Sequence, residues 1–180
     1  MDNPFDSQEI TISKLDAARR QLKTAAEIWF MEGDEVSVLA LAYASHEIIH
    51  RLFRNAGHSD LIYDSILVDD KDRADFNKSL KEVPNFFKHA RNENMEDTIA
   101  FQPGIAAMFI LMSAYALAVL EHKLNNAEMA VLVWFSLHFP SAKFIRSAFE
   151  ESLPVDAFNH LTSHGRKHFY EKFVRIRGDQ

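Results

Sequence analysis

Apolar residues recur at helical intervals from the thirteenth position onward. Leu15, Ala18, Leu22, Ala25 and Trp29 fall three or four apart, which keeps them on one face of a helix. Ser13, with Asp16 three residues on, forms a shortened capping box at the start of that helix. Gly33 stops it, and Asp34 caps a second helix that continues to about Asn55, before Gly57. So short a connection folds two long helices into an antiparallel hairpin. Leu61 to Val68 is a short apolar segment whose form the pattern leaves open. After Asp69, Asp70 and Asp72, a third helix is predicted from Arg73 to His89, with Phe76, Leu80 and Val83 inward. Pro84 is expected to kink it or to start a new turn.

Asn92 to Phe101 reads as loop or extended chain, and Pro103-Gly104 opens an apolar helix ending near Leu124. Ala127 to Phe139 is a second apolar helix closed by Pro140, and Ser141 to Ser152 a shorter one. The last helix is expected to begin at Pro154, a residue suited to a first helical turn, with Phe158, Phe169, Phe173 and Ile176 on its apolar face. No strand pair with a hairpin turn and no internal repeat interrupts this series. The pattern specifies an all-α, single-domain bundle of about six or seven helices, residues 13–180, behind a loose arm at 1–12. Its buried central helix is expected to be the one from Ile105.

Composition narrows the chemistry. The chain has 180 residues, 47% of them hydrophobic, enough to bury a core in one domain. Its 15 Phe, against 2 Trp and 4 Tyr, point to a core packed around phenyl rings. With no Cys, neither disulfides nor thiolate metal ligands are available. The net charge of −6 disfavours a dedicated nucleic-acid binder, although Arg166, Lys167, Lys172, Arg175 and Arg177 make the C-terminus basic. Met1 to Glu9 has no apolar run of the kind a signal peptide needs, so a cytoplasmic location is expected. Ile105 to Leu120 falls short of the roughly 20 residues that cross a bilayer and reads as a buried helix, not a membrane span.

His46-Glu47-Ile48-Ile49-His50 spells the H-E-x-x-H pattern of zinc peptidases. On a helix the two His lie about 40° apart, so two imidazoles can share one metal while Glu47 activates bound water or supports the site from behind. Leu39 and Tyr43 share their arc, and Phe53, Ala42, Ile49, Val38 and Leu52 extend the apolar side, so the pair projects from the edge of the buried face. The longer H-E-x-x-H-x-x-G-x-x-H form would need Gly and His where Phe53 and Ala56 stand. A peptidase would also bind substrate along a sheet edge, and no sheet is predicted. The competing reading makes His46 and His50 hydrogen-bonded histidines at the rim of the core.

A second polar cluster is Asn85-Phe86-Phe87-Lys88-His89. Asn85 and His89 share a helix face, and Lys88 with Arg91 could hold a phosphate or carboxylate. The alternative is a helix C-terminus whose basic residues complement the dipole. His160, His164 and His168 repeat every fourth position and read as a mainly solvated stripe.

Three segments, Ser13-Lys14-Leu15-Asp16-Ala17-Ala18-Arg19-Arg20-Gln21-Leu22, Ala44-Ser45-His46-Glu47-Ile48-Ile49-His50 and Asn85-Phe86-Phe87-Lys88-His89-Ala90, resemble a bacterial family of small all-helical proteins that carries no assigned activity. A further resemblance is to the HEPN superfamily, helical and often dimeric, many members of which are ribonucleases in toxin and antiphage systems. Asn85 to His89 is similar to the polar-to-His half of that superfamily's motif, while Pro84 stands where its Arg would be.

These readings converge on three expectations. The first is a pocket binding a divalent metal such as zinc, or a small anionic ligand, with His46 and His50 as ligands, Glu47 as base, and Asn85, Lys88 and His89 as contacts. The second is an HEPN-like ribonuclease or a degenerate relative; the third is an interaction or structural module without an active site. A homodimer is expected through a very apolar helix, with Met129, Leu132, Val133, Trp134, Phe135 and Leu137 of the Ala127 helix as its surface.

Overall fold

Ser13 begins the first helix as its sequence requires: its hydroxyl accepts from the Asp16 N–H at 3.0 Å and donates to the Asp16 carboxylate at 2.7 Å. The computed structural model describes residues 9–59, 62–63, 68–89, 96–121, 123–148 and 155–178. In chain order the α-helices are α1 (Lys14–Phe30), α2 (Glu35–Asn55), α3 (Arg73–Lys88), α4 (Gly104–Glu121), α5 (Asn126–His138), α6 (Lys143–Ser147) and α7 (Gly165–Arg177). A 3-10 segment, Val155–His164, precedes α7.

The α1–α2 hairpin turns through a tight C-terminal cap. Glu32 adopts a left-handed backbone, φ 58°, where glycine is usual, and the Gly33 N–H reaches the Ile28 carbonyl at 2.9 Å. A Cβ on Gly33 would lie 2.7 Å from the Ile28 side chain, so this glycine is needed for close approach and not for its torsion angles. Asp34 then caps α2 by accepting from the Ser37 N–H at 2.7 Å.

The core lies between α1, α2, α4, α5 and α7. Aromatic rings fill it: Phe30 stacks on Tyr170 at 4.7 Å and on Phe169 at 6.0 Å, and Trp29 on Phe135 at 5.6 Å. Trp29 and Phe109 are buried, as the periodicity predicts. Half of α4 is buried against its neighbours; by length and composition alone it could cross a membrane, a test that core helices also pass. More complete still is the enclosure of α5, which packs against α1, α4, α6, α7 and the 3-10 segment.

Met129, Leu132 and Val133 are buried, and Trp134, Phe135 and Leu137 partly so, by the chain's own helices. Much of the apolar surplus that singled out α5 as a dimer surface is covered inside one molecule, while Trp134, Phe135 and Leu137 are covered only in part.

Other differences are local. The third helix runs through Pro84 as one element, with Pro84 buried. The segment after Pro140 forms helix only over Lys143–Ser147, and residues 149–154, Pro154 among them, lie outside the described set. The last helix is divided, because Gly165 takes φ 82° and joins the 3-10 segment to α7. Phe158, Phe169 and Phe173 are buried as expected, but Ile176 in the final turn is 59% exposed. The arm expected at 1–12 is described only from residue 9, where it is exposed and without helix.

An ion pair between a partly exposed guanidinium and a buried carboxylate ties α1 to α5. Glu128 is fully buried and accepts from Arg19 Nε at 3.0 Å and Nη2 at 2.7 Å. The same carboxylate accepts from the Asn125 N–H, while the Asn125 side chain accepts from the Glu128 N–H, a complete capping box.

Candidate functional site

The polar residues of α2 meet α3 and α4 along one seam. His46, 1% exposed, is enclosed by the Phe109 ring at 5.1 Å and the Tyr63 ring at 5.5 Å. Its Nδ1 is 3.1 Å from the Ser113 hydroxyl, itself buried on α4. His50 lies one turn further along, its ring 6.0 Å from His46 and edge-on to Tyr63 at 4.9 Å. Tyr63 is held from the other side, since Asn77 of α3 donates to its carbonyl at 3.1 Å. The two histidines therefore share a face as the spacing requires, in an aromatic setting.

Glu47 points the other way. Its side chain is about half exposed, accepts from the Tyr43 hydroxyl at 3.0 Å and pairs with Lys88 at 3.6 Å. The Lys88 ammonium also lies 4.2 Å from the centre of the Tyr43 ring, a cation–π contact. Tyr43, Glu47 and Lys88 thus form a closed triangle pinning the C-terminal end of α3 to α2. Burial first, then the charge and hydrogen bond of Glu47, push the Tyr43 hydroxyl up to about 12, with a hydrogen bond from Tyr63 opposing. Burial and Glu27 likewise raise Tyr170, whose hydroxyl donates to Glu27 at 3.3 Å.

A tyrosine whose folded value is raised contributes stability that is fully present below its unfolded value near 10 and lost as pH rises through about 12. Unfolding free energy measured by urea titration is therefore expected to fall across that window. The fall should be smaller in Tyr43→Phe; an identical decline in this variant would show that Tyr43 does not carry it.

The remaining candidate residues disperse. Asn85 is exposed on the outer face of α3, bordering an open groove with Asn77, Lys78, Lys81 and Glu82. His89 is the exposed C-terminal cap of α3, its N–H bonded to the Asn85 carbonyl at 3.0 Å. Among the described residues no three His, Asp or Glu side chains come together to hold a metal ion. Of the six candidates, His46 and His50 gather under Tyr63, Glu47 and Lys88 pair beside Tyr43, and Asn85 and His89 are exposed on α3.

Tyr43 was legible as a partner of Glu47, because the two stand four apart on α2. Ser113 and Tyr63 carry no such signal; only the packing of α4 and of the chain after α2 brings them to His46.

A second surface lies on the outer side of α4. Ile105, Met108, Met112, Tyr115 and Val119 form a partly buried stripe that packs against the edge of the core, on a different side of α4 from Ser113 and Leu117. Their intervals of three and four follow a heptad seam, and α4 carries no charged residue before Glu121. Phe144 of α6, 41% exposed, packs edge-on to Tyr115 at 5.3 Å. At the other end, an open groove of about 640 Å³ runs between α3 and α4, bordered by Glu82, Val83, Phe101, Ile105 and Met108.

No family model, characterised protein or solved structure matches this chain.

Proposed function

We infer that the chain is a helical interaction module, with the His-Glu-x-x-His helix in an architectural role. The observation that carries this reading is the apolar stripe of α4, a heptad seam that the chain's own core covers only in part. A helix packed only inside its own domain has no need of such a partly uncovered seam.

The polar seam supports the same reading. His46 is engaged by Ser113 beneath two aromatic rings, so a metal would have to displace buried packing to reach it. Lys88, the residue suited to an anion, already faces the Glu47 carboxylate and the Tyr43 ring. Expected metal content is accordingly negligible in wild type, His46→Ala and His50→Ala alike; stoichiometric zinc lost on either substitution would restore the metal-pocket reading.

Met112→Lys tests the stripe directly. On a partly exposed surface the lysine can bend its ammonium out into water, so the loss should stay well below the roughly 2–5 kcal/mol of emptying a core position. Helicity in dilute solution should match the wild type, and unfolding should remain cooperative. A loss as large as that from emptying a core position would make the stripe part of the chain's own core and end the interaction reading.

A further inference from the structure

We propose that the partner seated on the α4 stripe is a second copy of this chain, packed antiparallel about a two-fold axis at Met112. This rests on the interaction reading above and names its partner.

The stripe is symmetric about its middle. Ile105 and Val119 lie seven residues either side of Met112, so an antiparallel pairing lays each against the other's equivalent and keeps apolar residues in register. The shapes at the two ends are complementary. Tyr115 lies about 4.5 Å along the axis beyond Met112, and Met108 about 6 Å before it. The two-fold therefore carries the exposed Phe144, seated on Tyr115, towards the groove beside Met108 of the other copy. An aromatic knob meets a groove, and the symmetry makes the contact twice.

Charge follows the same arrangement. Glu82 borders the groove, and exposed Lys143 immediately precedes Phe144. Antiparallel pairing brings Lys143 of one copy towards Glu82 of the other, whereas parallel pairing sets like ends together. Two chains of net charge −6 repel overall, and a seam on α4 without charged residues before Glu121 lets them approach where that repulsion is least.

Because the chain has no cysteine, a single introduced thiol reports the geometry. Helix axes about 8–10 Å apart, with Cα atoms about 2.3 Å from each axis, bring the two copies of position 112 within disulfide reach. The wild-type protein, examined by sedimentation velocity at micromolar concentration, should run as a dimer of 20.7 kDa chains, and Met112→Lys as a folded monomer. Mild oxidation should cross-link Met112→Cys into a covalent dimer, while Ile105→Cys and Val119→Cys, each about 21 Å along the axis from its own symmetry mate, should stay uncoupled.

A monomeric wild type overturns the second copy. Paired with a Met112→Lys variant that keeps its fold, it would leave the interaction reading standing with a different protein as occupant. Equal cross-linking at 105, 112 and 119 would also overturn the antiparallel pairing, since it indicates parallel chains or random collision.

Discussion

Arg19→Ala is expected to lower the free energy of unfolding by about 3–5 kcal/mol, the cost of leaving a buried carboxylate without its partner. Glu128 is fully buried, and both of its oxygens accept from the Arg19 guanidinium, at 3.0 and 2.7 Å. Removing the guanidinium leaves the Asn125 N–H as support from the capping box, too little to hold a charge away from water. Urea unfolding of the single variant measures the loss. The double variant Arg19→Met/Glu128→Met should recover much of it, because replacing a buried pair by apolar side chains is often close to neutral. A single-variant loss below about 1 kcal/mol would mean that water reaches Glu128 once Arg19 is gone, as at an exposed pair.

Phe109→Ala should cost a comparable amount, about 3–5 kcal/mol, from lost transfer energy and the cavity left behind. Phe109 is completely buried where α4 crosses α2, edge-on to Tyr43 at 5.3 Å and against His46 at 5.1 Å. Tyr43 and His46, the rings packed against it, are rigid, so collapse of the site should be incomplete. The variant should also loosen the hold on His46, since that ring loses one of the two aromatic walls enclosing it. Chemical denaturation at neutral pH gives the stability change; a loss under about 1.5 kcal/mol, the range of a tolerated repacking, would place Phe109 at the edge of the core.

Comparing these two positions separates what a linear reading can reach from what it cannot. Phe109 lies inside a continuous apolar run, and its burial follows from hydrophobicity alone. Arg19 reads as an ordinary surface charge on an amphipathic helix and Glu128 as an acid in the first turn of an apolar one, and they stand 109 positions apart. Nothing local distinguishes Glu128 from any other acid three residues after an N-cap, where a capping box is its expected role. The ion pair exists because α1 and α5 pack side by side.

The candidate site divides in the same way. The i, i+4 spacing of His46 and His50 was enough to place both on one face of α2. Their surroundings were not, since Ser113 comes from α4 and Tyr63 from the chain between α2 and α3. The expected approach of His89 depended on where α3 ends, and α3 presents Lys88 to Glu47 while His89 becomes an exposed cap.

The sequence by itself determined the all-α architecture, the α1–α2 hairpin with its Ser13 and Asp34 caps, and the apolar character of α4 and α5. These are local properties, set by backbone hydrogen bonding, side-chain period and the conformational limits of capping residues. Only the tertiary structure decided which apolar helix is enclosed and which keeps an outward face. Both α4 and α5 are apolar nearly all round, so neither contains a polar stripe to mark its solvent side. Neighbours on several sides cover most of α5, whereas only half of α4 is buried and its stripe from Ile105 to Val119 is covered in part. Hydrophobicity specifies that such surface should be buried but carries no direction; the packing of the other helices supplies it.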